Sequence, residues 1–321
     1  MPAFAKQNSP VDDGYIPFSV RFKAWWEGLD PNALVAKPSD NDDPGNPLAI
    51  QVDEPEEANN WPTSRLDFCR RLWEVEEEDE VVEPGGAAYT SWLMKPMSLT
   101  SEMSAADLSA GLGGGTRRAA KDLSCYIDGF EPDLDLAMLG HGLSKKHGME
   151  RRVPIITYDP DKMNLPEQRY HGILCRERLF RMPNKPKALQ AIYSGLKPRG
   201  HLIITDFVLG ENAELDDREI AAWVAKEPGA KHLWTEAQYR KTIVGMGMDL
   251  RVDQDETDMF RSKLLQAWAQ LVAGLSRSDL TRDFVNVMMR EAEYWLLLVR
   301  ALESKKLRYF RFHADRSAVV R

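Results

Sequence analysis

Between Asp107 and Gly115 the chain reads Asp107-Leu-Ser-Ala-Gly111-Leu-Gly113-Gly114-Gly115, after a short apolar run and before a stretch of helical pattern. Glycines at a strand-to-helix turn let the backbone bend sharply and approach a ligand, and the helix start offers unpaired N–H donors. Alone, such a loop is weak evidence. In a nucleoside site its partner is an acid about 20 residues further on, ending the next strand, where it accepts from ribose hydroxyls. Glu131, 24 positions after Asp107 and followed by Pro132, fits a strand end better than its competitor Asp128. A third predicted strand closes on Thr157-Tyr158-Asp159, placing Asp159 to accept from an adenine amino group. Three acids at the ends of consecutive strands beside a glycine loop describe an adenosine pocket. The alternative reading makes the acids plain helix caps.

The surrounding rhythm supports a doubly wound α/β fold. Short apolar runs predict strands near residues 105–108, 124–130, 153–158, 172–176, 201–207 and 248–253. Helical spacing predicts helices near 116–122, 134–147, 185–196 and 235–245, which implies a parallel sheet covered on both faces. Beyond Asp258 the rhythm ends in two long amphipathic helices, over 260–275 and 280–302, then an alternating strand over 307–314. The division expected is an N-terminal arm (1–60), a core (61–257), a helical insertion (258–306) and a final core strand with tail (307–321). In the arm, Phe18, Phe22, Trp25, Trp26 and Leu29 recur at helical spacing, which suits packing on the protein's own core or a second copy, or a partner or membrane surface. A helix from Thr63, with Ser64 as N-cap, turns Leu66, Cys69, Leu72 and Trp73 inward.

The net charge of −8 is unevenly spread: residues 40–85 hold 15 acidic and 3 basic residues, so this segment carries −12 and the remainder +4. The run from Glu74 to Glu80 reads as a solvated face. An acidic total disfavours a general nucleic-acid binder. No apolar stretch approaches the roughly 20 residues a membrane-spanning helix needs, and the N-terminus lacks the apolar core of a signal peptide. Cys69, Cys125 and Cys175 form no CxxC pair and fit a reducing cytoplasm. The six histidines show no metal-ligand spacing, so no metal site is expected.

Residues 85–207 resemble the class I S-adenosylmethionine-dependent methyltransferases, nearest the phosphoethanolamine, tocopherol and sterol methyltransferase group. The likeness rests on Gly85-Gly86, the Asp107–Gly115 loop, Tyr170-His-Gly-Ile-Leu-Cys-Arg176-Glu177 and Leu196-Lys-Pro-Arg-Gly-His-Leu-Ile-Ile-Thr-Asp206. It implies a Rossmann-like seven-stranded sheet, the last strand antiparallel beside the fifth, and S-adenosyl-L-methionine as cofactor. By the same resemblance Asp107, Ser109, Gly111, Gly113 and Arg176 would frame the methionine end, Glu131 the ribose and Asp159 the adenine.

The chain also departs from that pattern. Ser109 replaces a loop glycine, which requires a negative φ. Glu83-Pro84 precedes Gly85-Gly86 where relatives place hydroxyl residues. In phosphoethanolamine methyltransferases an Asp and, four positions later, a His assist deprotonation of the amine; Glu177 and Arg181 stand there, and a guanidinium is no base at neutral pH. Phosphoethanolamine is therefore not the expected acceptor. Arg181 would hold an anionic acceptor or make a surface salt bridge, and Tyr89 either faces the pocket or packs. Glu177, Arg181 and Tyr89 are the catalytic candidates. The expected activity is methyl transfer to a small-molecule or lipid-like acceptor. Its rival is a catalytically weak or inactive methyltransferase-like scaffold, joined to a partner or second copy through the arm and insertion. A Rossmann dehydrogenase fits the loop spacing and the last strand less well.

Overall fold

The computed structural model describes residues 22, 24, 61–76 and 79–318. An eight-stranded sheet forms its centre: β1 (Ser104–Asp107), β2 (Tyr126–Glu131), β3 (Ile155–Thr157), β4 (Tyr170–Arg176), β5 (Leu196–Leu209), β6 (Trp234–Thr235), β7 (Met248–Asp255) and β8 (Leu307–Arg316). The strand order is β3-β2-β1-β4-β5-β8-β7, with the two-residue β6 added to the end of β5. β8 runs antiparallel to both β5 and β7, while the other pairs are parallel. The chain reverses its direction of travel across the sheet between β1 and β4. In such sheets ligands bind at that switch point, outside the carboxyl ends of the strands.

Nine α-helices are described: α1 (Thr63–Trp73), α2 (Gly86–Met94), α3 (Gly114–Asp122), α4 (Leu134–Lys146), α5 (Lys185–Gly195), α6 (Arg218–Val224), α7 (Glu236–Gly245), α8 (Thr257–Ala273) and α9 (Arg282–Glu303). Their starts follow local chemistry. The Asp133 carboxylate accepts from Leu136 N at α4, and Thr235 with Gln238 forms a capping box at α7. Pro62, not Ser64, is the N-cap of α1, and no side chain caps that helix. Proline's fixed φ suits a helix entry, and Ser64 falls inside the first turn.

Three apolar cores result. Leu93, Met94, Ile127 and Leu174 pack on one sheet face, and Leu189, Ile192, Leu202 and Ile204 on the other. A third, aromatic-rich core joins α1, α6, α8 and α9 to Phe207 and Tyr309 of the sheet. Phe22 stacks on Trp268 of α8 with ring centroids 5.7 Å apart, so this member of the N-terminal aromatic stripe packs on its own chain. The remainder of that stripe, and of the arm, lies outside the described residues.

Three expectations need correction. β6 was not anticipated, because two residues carry no readable period. β5 begins at Leu196, which pairs with Tyr170 before the chain loops out and resumes with His201 opposite Gly172. The acidic run is not solvated throughout: Asp79 and Glu80 are buried. Glu80 pairs with Arg117 of α3 at 2.5 Å and with His147 Nε2 at 3.0 Å, partners that make a buried carboxylate tolerable.

Candidate active site

The carboxyl end of β1 delivers Asp107, wholly buried. Its Oδ1 accepts from Ser109 N at 3.0 Å and Ser109 Oγ at 2.9 Å, and its Oδ2 from Thr116 Oγ1 at 2.8 Å. The carboxylate thus ties both ends of the glycine loop to the strand that leads into it. Ser109 is outside the positive-φ region, as its Cβ demands, whereas Gly111 and Gly113 have φ of 54° and 77°. The Ser109 hydroxyl also accepts from Arg176 N at 3.1 Å, joining the loop to β4. A Cβ on Gly114 would sit 1.8 Å from the Asp79 carbonyl oxygen. Glycine is therefore required where the segment 79–84 crosses the start of α3.

Glu131 closes β2, 1% exposed. Gly111 N donates to its Oε2 at 2.9 Å and Asp133 N to its Oε1 at 3.0 Å. Arg178, on the loop after β4, donates from Nη2 to Glu131 Oε2 at 2.8 Å and to Glu83 Oε1 at 3.1 Å. Burial raises the carboxyls of both Asp107 and Glu131 above the ordinary range, while Arg178 pulls Glu131 back.

Arg176 donates to Thr90 Oγ1 at 3.0 Å and to the Pro84 carbonyl at 3.1 Å, and its guanidinium lies 5.0 Å from the centre of the Tyr89 ring. The following residue, Glu177, has a φ of 45°, a strained value for a residue with a Cβ. Its backbone N donates to Thr205 O at 2.7 Å. Its Oε1 accepts from Thr205 Oγ1 at 2.8 Å and from the Tyr309 hydroxyl. The Tyr89 hydroxyl lies beside this group without a hydrogen bond of ordinary geometry, and burial pushes it up to about 12.

Arg176, Ser109, Gly111 and the segment 81–83 line one cavity of about 20 Å³, room for about one water. Among the described residues, Arg176 Nε, Arg178 Nε and Tyr89 Oη are buried here without hydrogen-bond partners, while Arg176 Nε lies 3.8 Å from Glu177 Oε2.

No family model matches the chain. Curated relatives include phosphoethanolamine N-methyltransferase 3 of Arabidopsis thaliana, 24% identical over 183 residues, 57% of this chain and 36% of that protein. Sterol 24-C-methyltransferase of Eremothecium gossypii is 24% identical over 175 residues, 54% of this chain and 47% of that protein. The chain thus spans less than half the length of either. The solved structure of Haemonchus contortus phosphoethanolamine N-methyltransferase 2, in complex with S-adenosyl-L-methionine, superposes with a TM-score of 0.66 at 16% identity. It covers 80% of this chain and 58% of that one. The chain has the fold of the S-adenosylmethionine-dependent methyltransferases.

Within that methyltransferase fold, Asp107, Ser109, Gly111, Gly113, Glu131 and Arg176 converge at the carboxyl ends of β1, β2 and β4, and Tyr89 and Glu177 join them from α2 and the loop after β4. Asp159 does not join them. Half-exposed, it accepts from Asp161 N at 3.0 Å and pairs with Lys162 at 3.0 Å, so it caps a short turn. Arg181 points elsewhere too: it grips Glu227 at 2.8 Å and donates to the Glu177 carbonyl at 3.1 Å. The salt-bridge reading of Arg181 is the one the geometry matches, which removes it as a free cation for an acceptor.

Thr205, Tyr309, Arg178 and Glu83 were missed. Tyr309 stands 132 positions from Glu177 and Arg178 47 from Glu131. Only the sheet order brings them together.

Proposed function

We propose that this chain catalyses S-adenosylmethionine-dependent methyl transfer to a small-molecule or lipid-like acceptor. The observation that carries this reading is the junction of Asp107, Ser109 and Arg176 with Glu131 around two positive-φ glycines at the switch point of the sheet. Asp107, Ser109 and Arg176 would hold the amino-acid end of the cofactor, and Glu131 its ribose. Bound there, the cofactor supplies an electrophilic methyl group, so alignment and exclusion of water carry much of the rate.

The chain's own groups suit that work. Thr205 and Tyr309 fix Glu177 through its Oε1, and its Oε2, 3.8 Å from Arg176 Nε, can orient an acceptor or take its proton. Glu131 accepts from Gly111, Asp133 and Arg178, which leaves a lone pair on its carboxylate for a ribose hydroxyl, and the cavity lined by the 81–83 segment, which admits about one water, would have to widen to take the cofactor.

Calorimetric titration of the full chain with S-adenosylhomocysteine tests the reading. Stoichiometric binding that Glu131→Gln weakens tenfold or more is the expected result. A folded wild-type chain that evolves no binding heat would leave the scaffold reading standing instead.

A further inference from the structure

Where the β5–β8 pairing begins, at His201 opposite Asp315, three side chains converge that the methyl-transfer site does not use. His201 on β5 is directly opposite Asp315 on β8, and Ile203 is opposite His313. Because side chains of a strand alternate faces, His313 and Asp315, two apart, share the face on which His201 stands. The result is a compact triangle. His201 Nδ1 lies 2.7 Å from Asp315 Oδ1 and 3.3 Å from His313 Nε2, and His313 Nε2 lies 3.5 Å from Asp315 Oδ1.

The three groups are linked by hydrogen bonds in the absence of an ion. Each neutral imidazole carries one N–H, and the two nitrogens face each other as well as the same carboxylate oxygen. A cation at the centre would take a lone pair from all three. Zinc binds imidazole nitrogen and carboxylate oxygen at about 2.0–2.2 Å, so the edges of its tetrahedron are about 3.3–3.5 Å. Two of the three observed separations already have that length, and the third needs to open by about 0.6 Å.

The surroundings are also those of a built site. The other oxygen of Asp315, Oδ2, accepts from Arg251 Nε at 3.0 Å, and Arg251 is in turn held by Asp249 at 2.8 Å. Arg251 lies where the β7–β8 register shifts, between Leu250 and Val252, and such bulges re-aim side chains. The carboxylate is thereby turned with Oδ1 toward the imidazoles, the orienting role that partners of metal ligands commonly play. His313 is nearly buried, while the side chains of Asp315 and His201 are 23% and 28% exposed, so the triangle opens to solvent on one side.

We propose that His201, His313 and Asp315 form a binding site for a divalent transition-metal ion, zinc for choice, with a water or small anion in the remaining position. Three protein ligands on two paired strands would clamp β8 to β5 at the end remote from the cofactor loop. The histidines are 112 positions apart, which is why no ligand spacing is visible along the chain.

The test uses the full chain after dialysis against a chelator. Calorimetric titration with zinc chloride is expected to show one site, and cobalt(II) to develop the visible absorption of a tetrahedral complex. His313→Gln and Asp315→Asn should each weaken zinc binding tenfold or more. His171→Gln, which alters a histidine outside the triangle, should leave it unchanged. Absence of stoichiometric zinc binding to the wild type, or equal binding by His313→Gln, overturns the proposal. Should the variants fail to fold, histidine footprinting of the wild type with diethyl pyrocarbonate decides. Zinc is expected to shield His201 while exposed His141 still reacts, and equal reaction of both with and without zinc rejects the site.

Discussion

Asp107 is the residue on which the cofactor loop hangs, since a single buried carboxylate accepts from two groups of Ser109 and one of Thr116. Asn at this position offers one acceptor oxygen where the native residue offers two. Hydrogen bonds to a charged group contribute about 1.5–3 kcal/mol, so Asp107→Asn should weaken S-adenosylhomocysteine binding by about 10–100-fold, read by calorimetry. Asp206 gives a prediction in pH. Burial raises its carboxyl from 3.8 to about 7, with Tyr239 Oη at 2.5 Å and the buried Lys185 opposing the shift. A carboxyl whose folded-state value is raised stabilises the fold below pH 3.8 and loses that contribution as pH rises through about 7. Relative to Asp206→Asn, the wild type should therefore lose stability across this window, measured as urea midpoints. A constant difference would show that folding does not raise the Asp206 carboxyl. At this scale Asp107, Glu131 and Arg176 were legible, because each lies at the end of a strand with its own apolar run. Asp159 and Arg181 were not, since both have a nearer partner, Lys162 and Glu227, that no one-dimensional pattern reveals.

At the scale of elements, the strand and helix rhythm from 104 to 253 was readable because parallel strands buried on both faces are short, continuous and apolar. Proline and glycine marked the boundaries around them. What failed were features decided by tertiary contact. β6 exists only because β5 offers it an edge, and the acidic segment bends inward because Arg117 and His147 await Glu80. The crossing of segment 79–84 over α3 yields a sharp prediction. Gly114→Ala would drive a methyl group into the Asp79 carbonyl, and overpacking of this kind costs about 1–3 kcal/mol. Thermal unfolding should show a loss of that size. Gly142→Ala, where a Cβ meets nothing within 4 Å, should raise the midpoint slightly through helix propensity. A tolerated Gly114→Ala would mean that the segment does not pack on α3.

For the whole molecule, the sheet and the α1–α6–α8–α9 layer share Phe207 and Tyr309, which belong to β5 and β8 yet sit in the aromatic core. Tyr309 stacks on Phe260 of α8 with centroids 4.1 Å apart while its hydroxyl reaches Glu177. The helical layer is thus in register with the catalytic candidate through one residue. Among the described residues no helix is long and apolar enough to cross a membrane.

The position of β8 has a consequence for the order of events in folding. β5 pairs Leu209 with Leu307, and among the described residues β7 has no sheet neighbour other than β8. Until the last strand arrives, both must wait with open edges, a state that is slow to resolve and prone to sticking to other chains. Pulse-labelled hydrogen exchange during refolding should show β7 and β8 amides gaining protection together, and later than those of β1 and β4. Protection of β7 ahead of β8 would contradict this sequence. The two α-helices carried between β7 and β8 therefore lengthen the search for the strand that completes the sheet, and a clamp across β5 and β8 would act at the step where assembly ends.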